Sequence, residues 1–342
     1  MSTTMNMFTE MGYTLICDAQ QSTDAYEVLS QMAKDGELKT RITGVHNVND
    51  ATRDADLQKA KDNRTKFDVG DMFRVDTLKY FADGTFSMLE PYVETAAALG
   101  KTPGTIEPLL WDEQHMMDSM IAGNKAGFNI HTHAMGSNAV RKVVDCYIEA
   151  QKQYPSDSIR NIVAHCTFVS NEDRVRMGQN HIIASTQPGW FSDHPAIEPV
   201  YVACWGEDAI KETYPCKSMI DNGVIHAFGS DYAVNIPYGL SGLQVAMTRK
   251  VVHKDAEYNK YKDLTPTRPE ECISLKEAIQ AHTINGAYQA HLENTTGSIE
   301  VGKSAELLLL DSDIENTAAN EIENIKVVET VFKGKTVYNL NK

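Results

Sequence analysis

The sequence predicts an α/β protein whose parallel strands form a barrel covered by helices, with a small β-unit at its C-terminal end. Seven strand-like apolar runs are separated by stretches of helix length, and this alternation is typical of a parallel sheet covered by helices. Four of the runs carry a chemically active side chain at or near their end: Lys79, His133, His165 and Asp231. Because a parallel barrel gathers its strand ends around one cleft, these four side chains are expected to meet there.

The strand-like runs are short, apolar and flanked by turn residues. They cover residues 13–18, 41–46, 77–82, 128–133, 160–166, 181–186 and 224–229. Helical stretches between them are predicted at residues 23–34, 113–126, 137–152, 172–177 and 209–222. Long segments rich in Gly, Pro and Asp follow three strands, at residues 83–111, 187–206 and 231–242, and are expected to build the active-site face.

The C-terminal part of the chain leaves the alternating pattern. After a helix-like stretch at residues 275–292 come residues 297–303, the apolar run 306–310 and a hairpin at 327–338 that turns at 333–335. So small a β-unit cannot close a core alone, and we expect it to pack on the barrel as part of a β-sandwich. The sequence therefore predicts a barrel domain at residues 1–292 and a β-unit at 293–342.

Composition excludes several classes of partner. The net charge of −15 argues against nucleic acid and anionic membranes, which attract basic surfaces. No apolar run approaches the ~20 residues that span a bilayer, and the first residues lack the pattern of a secretory signal. Six scattered cysteines without a CxxC pair favour reduced thiols over a disulfide framework. A cytoplasmic protein that binds a small-molecule substrate is expected.

One lysine, two histidines and one aspartate on four parallel strands are a plausible ligand set for a hydrolytic metal site. Neutral imidazoles suit zinc and manganese among other divalent metals. An inward-pointing Lys79 would be a costly buried cation without a partner, and it could instead pair with Asp231. His133 and His165 could also be core histidines bonded to backbone, but their order and position favour a role in the site.

The chain resembles the amidohydrolase superfamily in an ordered set of motifs. These are LKYFADGT, HTHAMGSNAV, VAHCTFVSNEDRVRM, STQP, FGSD and the long segment HTINGAYQAHLENTTGSIEVGKSAELLLLD. The similarity runs from about Gly12 to about Tyr338. The branch that it most resembles is amidohydrolase family 3, which includes YtcJ-like proteins, N-substituted formamide deformylases and AepA-like regulators.

This resemblance implies a distorted (β/α)8 TIM-type barrel that carries one or two divalent metals, with zinc or manganese favoured. It implies that Lys79, in carboxylated form, and His133, His165 and Asp231 are the metal ligands. Asp231 would also be the general base that takes a proton from the activated water. The seven strands match the second to the eighth of such a barrel. The first strand with its His-x-His pair, and the first half of the β-sandwich, would precede residue 1.

Other polar residues near the strand ends are assigned weaker roles. His46, Gln187 and Trp190 are expected to line the substrate cleft, although Trp190 could equally pack its own loop. His131 shares a strand face with His133 and is interpreted as a deeper barrel-filling residue. Asp83 is expected to form a turn after its strand and to carry no chemistry.

Two functions remain open at this point. The first is a metal-dependent hydrolase of amide, formamide or ester bonds. The alternative is a catalytically degenerate amidohydrolase-like protein with a binding or regulatory role, which the missing His-x-His favours. Seven strands leave a gap between the strands that end near Asp18 and Gly229, and unpaired backbone there favours a homo-oligomer, most simply a dimer.

Overall fold

The computed structural model of the protein describes residues 2–85, 109–192, 212–255, 258–266 and 268–341. Seven strands pair in sequence order into one sheet, and every pairing within it is parallel. They are β1 Leu15–Asp18, β2 Arg41–Asn47, β3 Phe73–Phe81, β4 Asn129–Ala134, β5 Asn161–His165, β6 Ile183–Thr186 and β7 His226–Phe228. The predicted parallel α/β architecture is confirmed. Among the described strands β1 and β7 are the two edges, so the described part of the sheet is an open barrel.

Helices connect the strands and cover the outer face of the sheet. They are α1 Ser2–Glu10, α2 Thr23–Lys34, α3 Arg53–Phe67, α4 Glu113–Lys125, α5 Ser137–Gln153, α6 Asn171–Gln179, α7 Cys216–Asp221, α8 Leu240–Thr248, α9 Tyr258–Tyr261, α10 Leu275–His282 and α11 Ile284–Gln289. No helix within the described ranges is both long and apolar enough to cross a bilayer.

Alternation along the strands separates a helix-facing core from an inner cavity. On β3, Leu78 and Tyr80 are fully buried in the core that packs against the helices. The intervening residues Thr77, Lys79 and Phe81 line the cavity instead. Because side chains of a strand point to opposite faces in turn, this period of two decides which polar residues reach the site.

Several helices differ from the sequence prediction. The helix expected at 209–222 begins only at Cys216, since Pro215 stands at its N-cap, and residues 209–211 lie outside the described residues. The charged helix α3 was not predicted because it lacks an apolar stripe, burying only Ala60, Asn63 and Phe67. Most of the predicted loops at 83–111 and 187–206 likewise falls outside the described residues.

A second sheet of three antiparallel strands forms the C-terminal unit. Its strands are β8 Leu307–Leu310, β9 Val327–Phe332 and β10 Lys335–Asn339, in the order β10-β9-β8. Lys333 and Gly334 turn the predicted hairpin with positive φ angles of 50° and 74°, as a two-residue hairpin turn requires. Helix α1 packs against β9 and β10, and the Thr330 hydroxyl donates to the Thr9 carbonyl at 2.7 Å. The domain division at residues 292 and 293 stays a prediction.

Candidate active site

The inner face of the sheet borders a cavity of about 1870 Å³. Four of the predicted site residues, Lys79, His133, His165 and Asp231, line it together. They come from β3, β4, the end of β5 and the segment after β7. The expectation that the strand ends bring these side chains to one cleft therefore agrees with the geometry.

Lys79 lies deep in this cavity with its amine among aromatic and imidazole rings. Its Nζ is 3.2 Å from Nδ1 of His131 and 4.9 Å from the ring centre of Phe81. Burial lowers the pKa of Lys79 to about 7, an effect that the negative charge of Asp231 opposes. The Lys79 amine and the Asp231 carboxylate, both among the described residues, are farther apart than the 4.0 Å of a salt bridge. The direct ion pair that the sequence left open as an alternative is therefore not formed.

His131 lies beside Lys79 inside the barrel. Expected as a deeper barrel-filling residue, it is buried, borders the cavity and contacts the Lys79 amine. Burial and the neighbouring Lys79 lower the pKa of His131 well below its usual range. A neutral His131 can accept a hydrogen bond from the Lys79 amine through Nδ1.

His133 is held in place by the segment that follows β3. Its Nε2 lies 3.1 Å from the Gly84 carbonyl oxygen and 3.7 Å from Oδ1 of Asp83. A carbonyl oxygen only accepts, so Nε2 carries the proton and the lone pair of the neutral ring is on Nδ1. Burial, with the nearby Lys79 charge, lowers the pKa of His133 to about 4, so the ring is neutral near pH 7.

Asp83 has a role beyond the predicted turn. Its carboxylate accepts hydrogen bonds from the backbone N–H groups of Met135 and Gly136, at 3.0 and 2.7 Å, and is fully buried. It thus ties the segment after β3 to the segment after β4 and lies beside His133. The sequence signal for this role was weak, because an Asp-Gly pair after a strand is also the ordinary signature of a turn.

His165 enters the site through an unusual backbone conformation. Ala164 already lines the cavity, so strict alternation would turn His165 away from it. Positive φ angles of 73° at His165 and 50° at Cys166 break the alternation. Such strained conformations cluster at functional sites. Cys166 is buried and its thiol faces the Val163 carbonyl, away from the cavity as expected.

Gln187 and Trp190 surround the His165 ring. Oε1 of Gln187 accepts a hydrogen bond from Nδ1 of His165 at 2.8 Å, which leaves the lone pair on Nε2. The Trp190 ring centre lies 5.5 Å from that of His165, with 30° between the planes. Both residues border the cavity, as expected from sequence. Contact of either with substrate stays a prediction.

Asp231 follows β7 in a left-handed conformation with a φ of 57°. Its carbonyl oxygen accepts from the N–H groups of Val234 and Asn235, so the segment after β7 turns immediately beyond it. Burial raises the pKa of the Asp231 carboxyl, and the Lys79 charge opposes this shift. The carboxylate is therefore placed in a partly desolvated wall of the cavity, where a proton acceptor is useful.

His46 does not line the described cavity, contrary to expectation. Thr43 and Val45 of β2 face the cavity, and alternation turns His46 outward to α3. There its Nδ1 lies 3.3 Å from the amide of Asn63. The position of His46 near the end of β2 was predicted correctly, but the face of the strand on which its side chain lies was not.

The donors on this wall fit a divalent metal only if Lys79 takes part. Among the described residues, no three His, Cys, Asp or Glu side chains cluster closely enough to hold a metal by themselves. The rings of His133 and His165 lie 4.5 Å apart, centre to centre, and each carries its proton on a nitrogen that already has an acceptor. Two neutral imidazole donors with a carboxylated Lys79 and the Asp231 carboxylate make a chemically suitable set.

The fold defines a protein of the parallel-barrel class, in which Lys79, His133, His165 and Asp231 border one cavity. A sequence model of the amidohydrolase family matches residues 1–338. The chain therefore belongs to the amidohydrolase family.

Curated relatives carry several names. N-substituted formamide deformylase of Arthrobacter pascens is 23% identical over 98% of this chain and 59% of its own length. Protein LONG AFTER FAR-RED 3 of Arabidopsis thaliana is 26% identical over 76% of this chain and 42% of its own. Putative amidohydrolase YtcJ of Bacillus subtilis is 26% identical over 76% and 46%. The chain spans about half the length of these relatives.

Solved structures support the fold. An uncharacterized metal-dependent hydrolase from Pyrococcus furiosus superimposes with a TM-score of 0.69 and 18% sequence identity. The superposition covers 89% of this chain and 57% of that one. Identity this low supports the fold alone.

Proposed function

We propose that the protein is a metal-dependent hydrolase that cleaves an amide, formamide or ester bond of a small-molecule substrate. The observation that carries this proposal is that Lys79, His133, His165 and Asp231 border one cavity. In it the two imidazole rings lie 4.5 Å apart, and the charges of Lys79 and Asp231 act on each other. The two histidines are neutral near pH 7, and Asp231 is the one of these four groups that can take up a proton as a carboxylate base.

The metal would be held by carboxylated Lys79, His133, His165 and Asp231, with zinc or manganese as the favoured ion. When bound, a divalent metal supplies a more acidic water and polarises the substrate carbonyl. The lowered pKa of Lys79 supports its role as a carboxylated ligand, because a larger fraction of the amine is then uncharged and able to react with carbon dioxide. Gln187 and Gly84 would orient the two imidazoles through their protonated nitrogens.

Asp231 would act as general base and then as general acid. Its carboxylate takes a proton from the attacking water and passes it to the leaving nitrogen or oxygen of the substrate. The raised pKa of Asp231 suits the first step, because a stronger base takes the proton more readily. The Trp190 ring beside His165 would shield one side of the reacting carbonyl from bulk water.

The test is hydrolysis of a panel of N-acyl, N-formyl and ester compounds by protein supplied with zinc or manganese and bicarbonate. Asp231→Asn is expected to lower kcat by at least about 100-fold, the scale for removing a general base. His165→Ala should remove bound metal and activity together. Asp24→Asn, at an exposed position of α2, is the matched control. Activity that survives both site changes and chelation would overturn the proposal.

A second candidate function is binding without turnover. The contact between the Lys79 amine and His131 favours it, because a lysine that keeps this partner is not available as a ligand. Protein that binds small molecules in the cavity, takes up no metal and hydrolyses none of the panel would support this candidate. The metal content of protein purified without chelator separates the two functions.

A further inference from the structure

A group of polar side chains that the proposed reaction does not use lies in the cavity near Asp76, three residues before Lys79 on β3. A bulge in β3 creates part of it: Gly44 pairs with Val75 and Val45 with Thr77, so Asp76 is the extra residue. Bulges re-aim side chains and are frequent beside active sites. Here both Asp76 and its neighbour Thr77 line the cavity.

Gln289 provides an unpaired acceptor in the same region. The residue is only 8% exposed and lines the cavity, and its Oε1 has no hydrogen-bond donor among the described residues. A buried amide oxygen without a donor is unfavourable, and a ligand or water that donates to it would remove this cost. Burial raises the pKa of the Cys17 thiol, and the nearby Asp76 charge adds to this shift while the Thr43 hydroxyl and the Gln289 side chain oppose it. We call Cys17, Thr43, Asp76 and Gln289 the distal subsite.

The charge of the cavity wall decides which donor suits this subsite. Lys79 is the one lysine or arginine among the described lining residues. The carboxylates there are Asp18, Asp76, Asp83, Asp231, Asp255 and Glu306. Asp76 is contacted by Arg74 at 3.3 Å and by the Thr77 hydroxyl at 3.0 Å, and its side chain remains 19% exposed. Arg74 and Arg41, which do not line the cavity, pair with Asp76 and Glu306. The other lining carboxylates still outnumber Lys79, and a cavity with this balance of charge attracts cations and repels carboxylates.

We infer that the substrate carries a positively charged amine, bound in the distal subsite by Gln289 Oε1 and the Asp76 carboxylate. This inference rests on the proposed hydrolysis at Lys79 and Asp231. Asp76 and Lys79 are three residues apart on β3, which corresponds to about 10 Å along a strand. The amine and the scissile carbonyl are therefore separated by a chain of about six methylenes.

The experiment compares three acetamides of equal length by isothermal titration calorimetry at low salt. N-acetyl-1,6-diaminohexane carries the ammonium, N-acetylheptylamine ends in a methyl group, and 6-acetamidohexanoate carries a carboxylate. We expect the ammonium compound to bind about tenfold or more tightly than the neutral one, the scale of a charge-assisted hydrogen bond, and the carboxylate compound to bind more weakly than either.

Variants assign the preference to the subsite. Asp76→Asn and Gln289→Leu should each reduce the preference for ammonium, Gln289→Glu should increase it, and Asp24→Asn should leave it unchanged. If Gln289→Leu fails to fold, the Asn and Glu variants still decide. Equal binding of the three compounds would assign a water to Gln289 Oε1 and overturn the inference, as would a preference that survives both Asp76→Asn and Gln289→Leu.

Binding and hydrolysis separate the two proposals. A preference for ammonium in protein that never cleaves the acetamide supports the distal subsite and refutes the proposed hydrolysis of this bond. Cleavage of all three acetamides with no preference supports the hydrolase and refutes the subsite.

Discussion

Replacing Asp83 by alanine should destabilise the protein and displace His133. Asp83 is fully buried and accepts hydrogen bonds from the N–H groups of Met135 and Gly136. A hydrogen bond to a charged group contributes about 1.5–3 kcal/mol. Loss of both should therefore lower the free energy of unfolding by about 3–6 kcal/mol.

The assay is urea unfolding monitored by circular dichroism. The free energy of unfolding falls with urea concentration by about 1–3 kcal/mol per molar for small proteins, and more steeply for longer chains. The urea midpoint should therefore fall by on the order of 1 M. Asp83→Asn keeps one acceptor oxygen, so it should lose about half as much stability. Asp62→Ala, at an exposed carboxylate of α3, should change the free energy by less than about 0.5 kcal/mol.

An Asp83→Ala protein as stable as the native one would refute this reasoning. It would mean that water reaches the two N–H groups, and that the segments after β3 and β4 are held together by other contacts. The His133 imidazole would then be oriented by the Gly84 carbonyl alone.

Three further predictions follow from the same structure. Gln187→Leu removes the acceptor of His165 Nδ1 and should weaken metal binding about 10–100-fold in a chelator competition. Gln187→Glu keeps an acceptor and should preserve metal binding. Equal metal affinities of the native protein and both variants would contradict this. Burial lowers the pKa of His226 to about 4. Between about pH 6.5 and pH 4 the unfolded chain therefore binds more protons than the folded chain. The free energy of unfolding falls as the pH drops through this window, by up to about 3 kcal/mol. His226→Leu should flatten the pH dependence of the urea midpoint, and an unchanged profile would disprove it. The unpaired edges of β1 and β7 and the exposed leucines of β8 predict a homodimer by light scattering, and a stable monomer at micromolar concentration would reject it.

Much of the fold was predictable because buried parallel strands are short apolar runs with distinct ends. All seven strand-like runs of the barrel are strands in the structure. Helix α3 could not be predicted from periodicity, since a helix that buries few side chains has no apolar stripe to detect. Helix α1 was likewise not predicted, and it is positioned by contacts with β9 and β10, more than 300 residues away in sequence.

The candidate site was predictable as a set of residues and less so as a geometry. The inward orientation of Lys79 and His133 follows from the alternation of side chains along a strand. The inward orientation of His165 does not, because it depends on positive φ angles at His165 and Cys166 that interrupt the alternation. His46 shows the reverse case, because alternation turns it outward although it ends a strand. The positions of Asp83 and Gln289 depend on segments that meet only in the folded chain, so sequence alone did not reveal them.

The central claim is that Lys79, His133, His165 and Asp231 form a metal-dependent hydrolytic site. Elemental analysis of protein purified without chelator, before and after reconstitution with bicarbonate and zinc or manganese, tests it most directly. The account predicts bound divalent metal that is lost in His165→Ala and in Lys79→Ala and kept in the surface variant Asp24→Asn. Protein that holds no metal above background after reconstitution would contradict it.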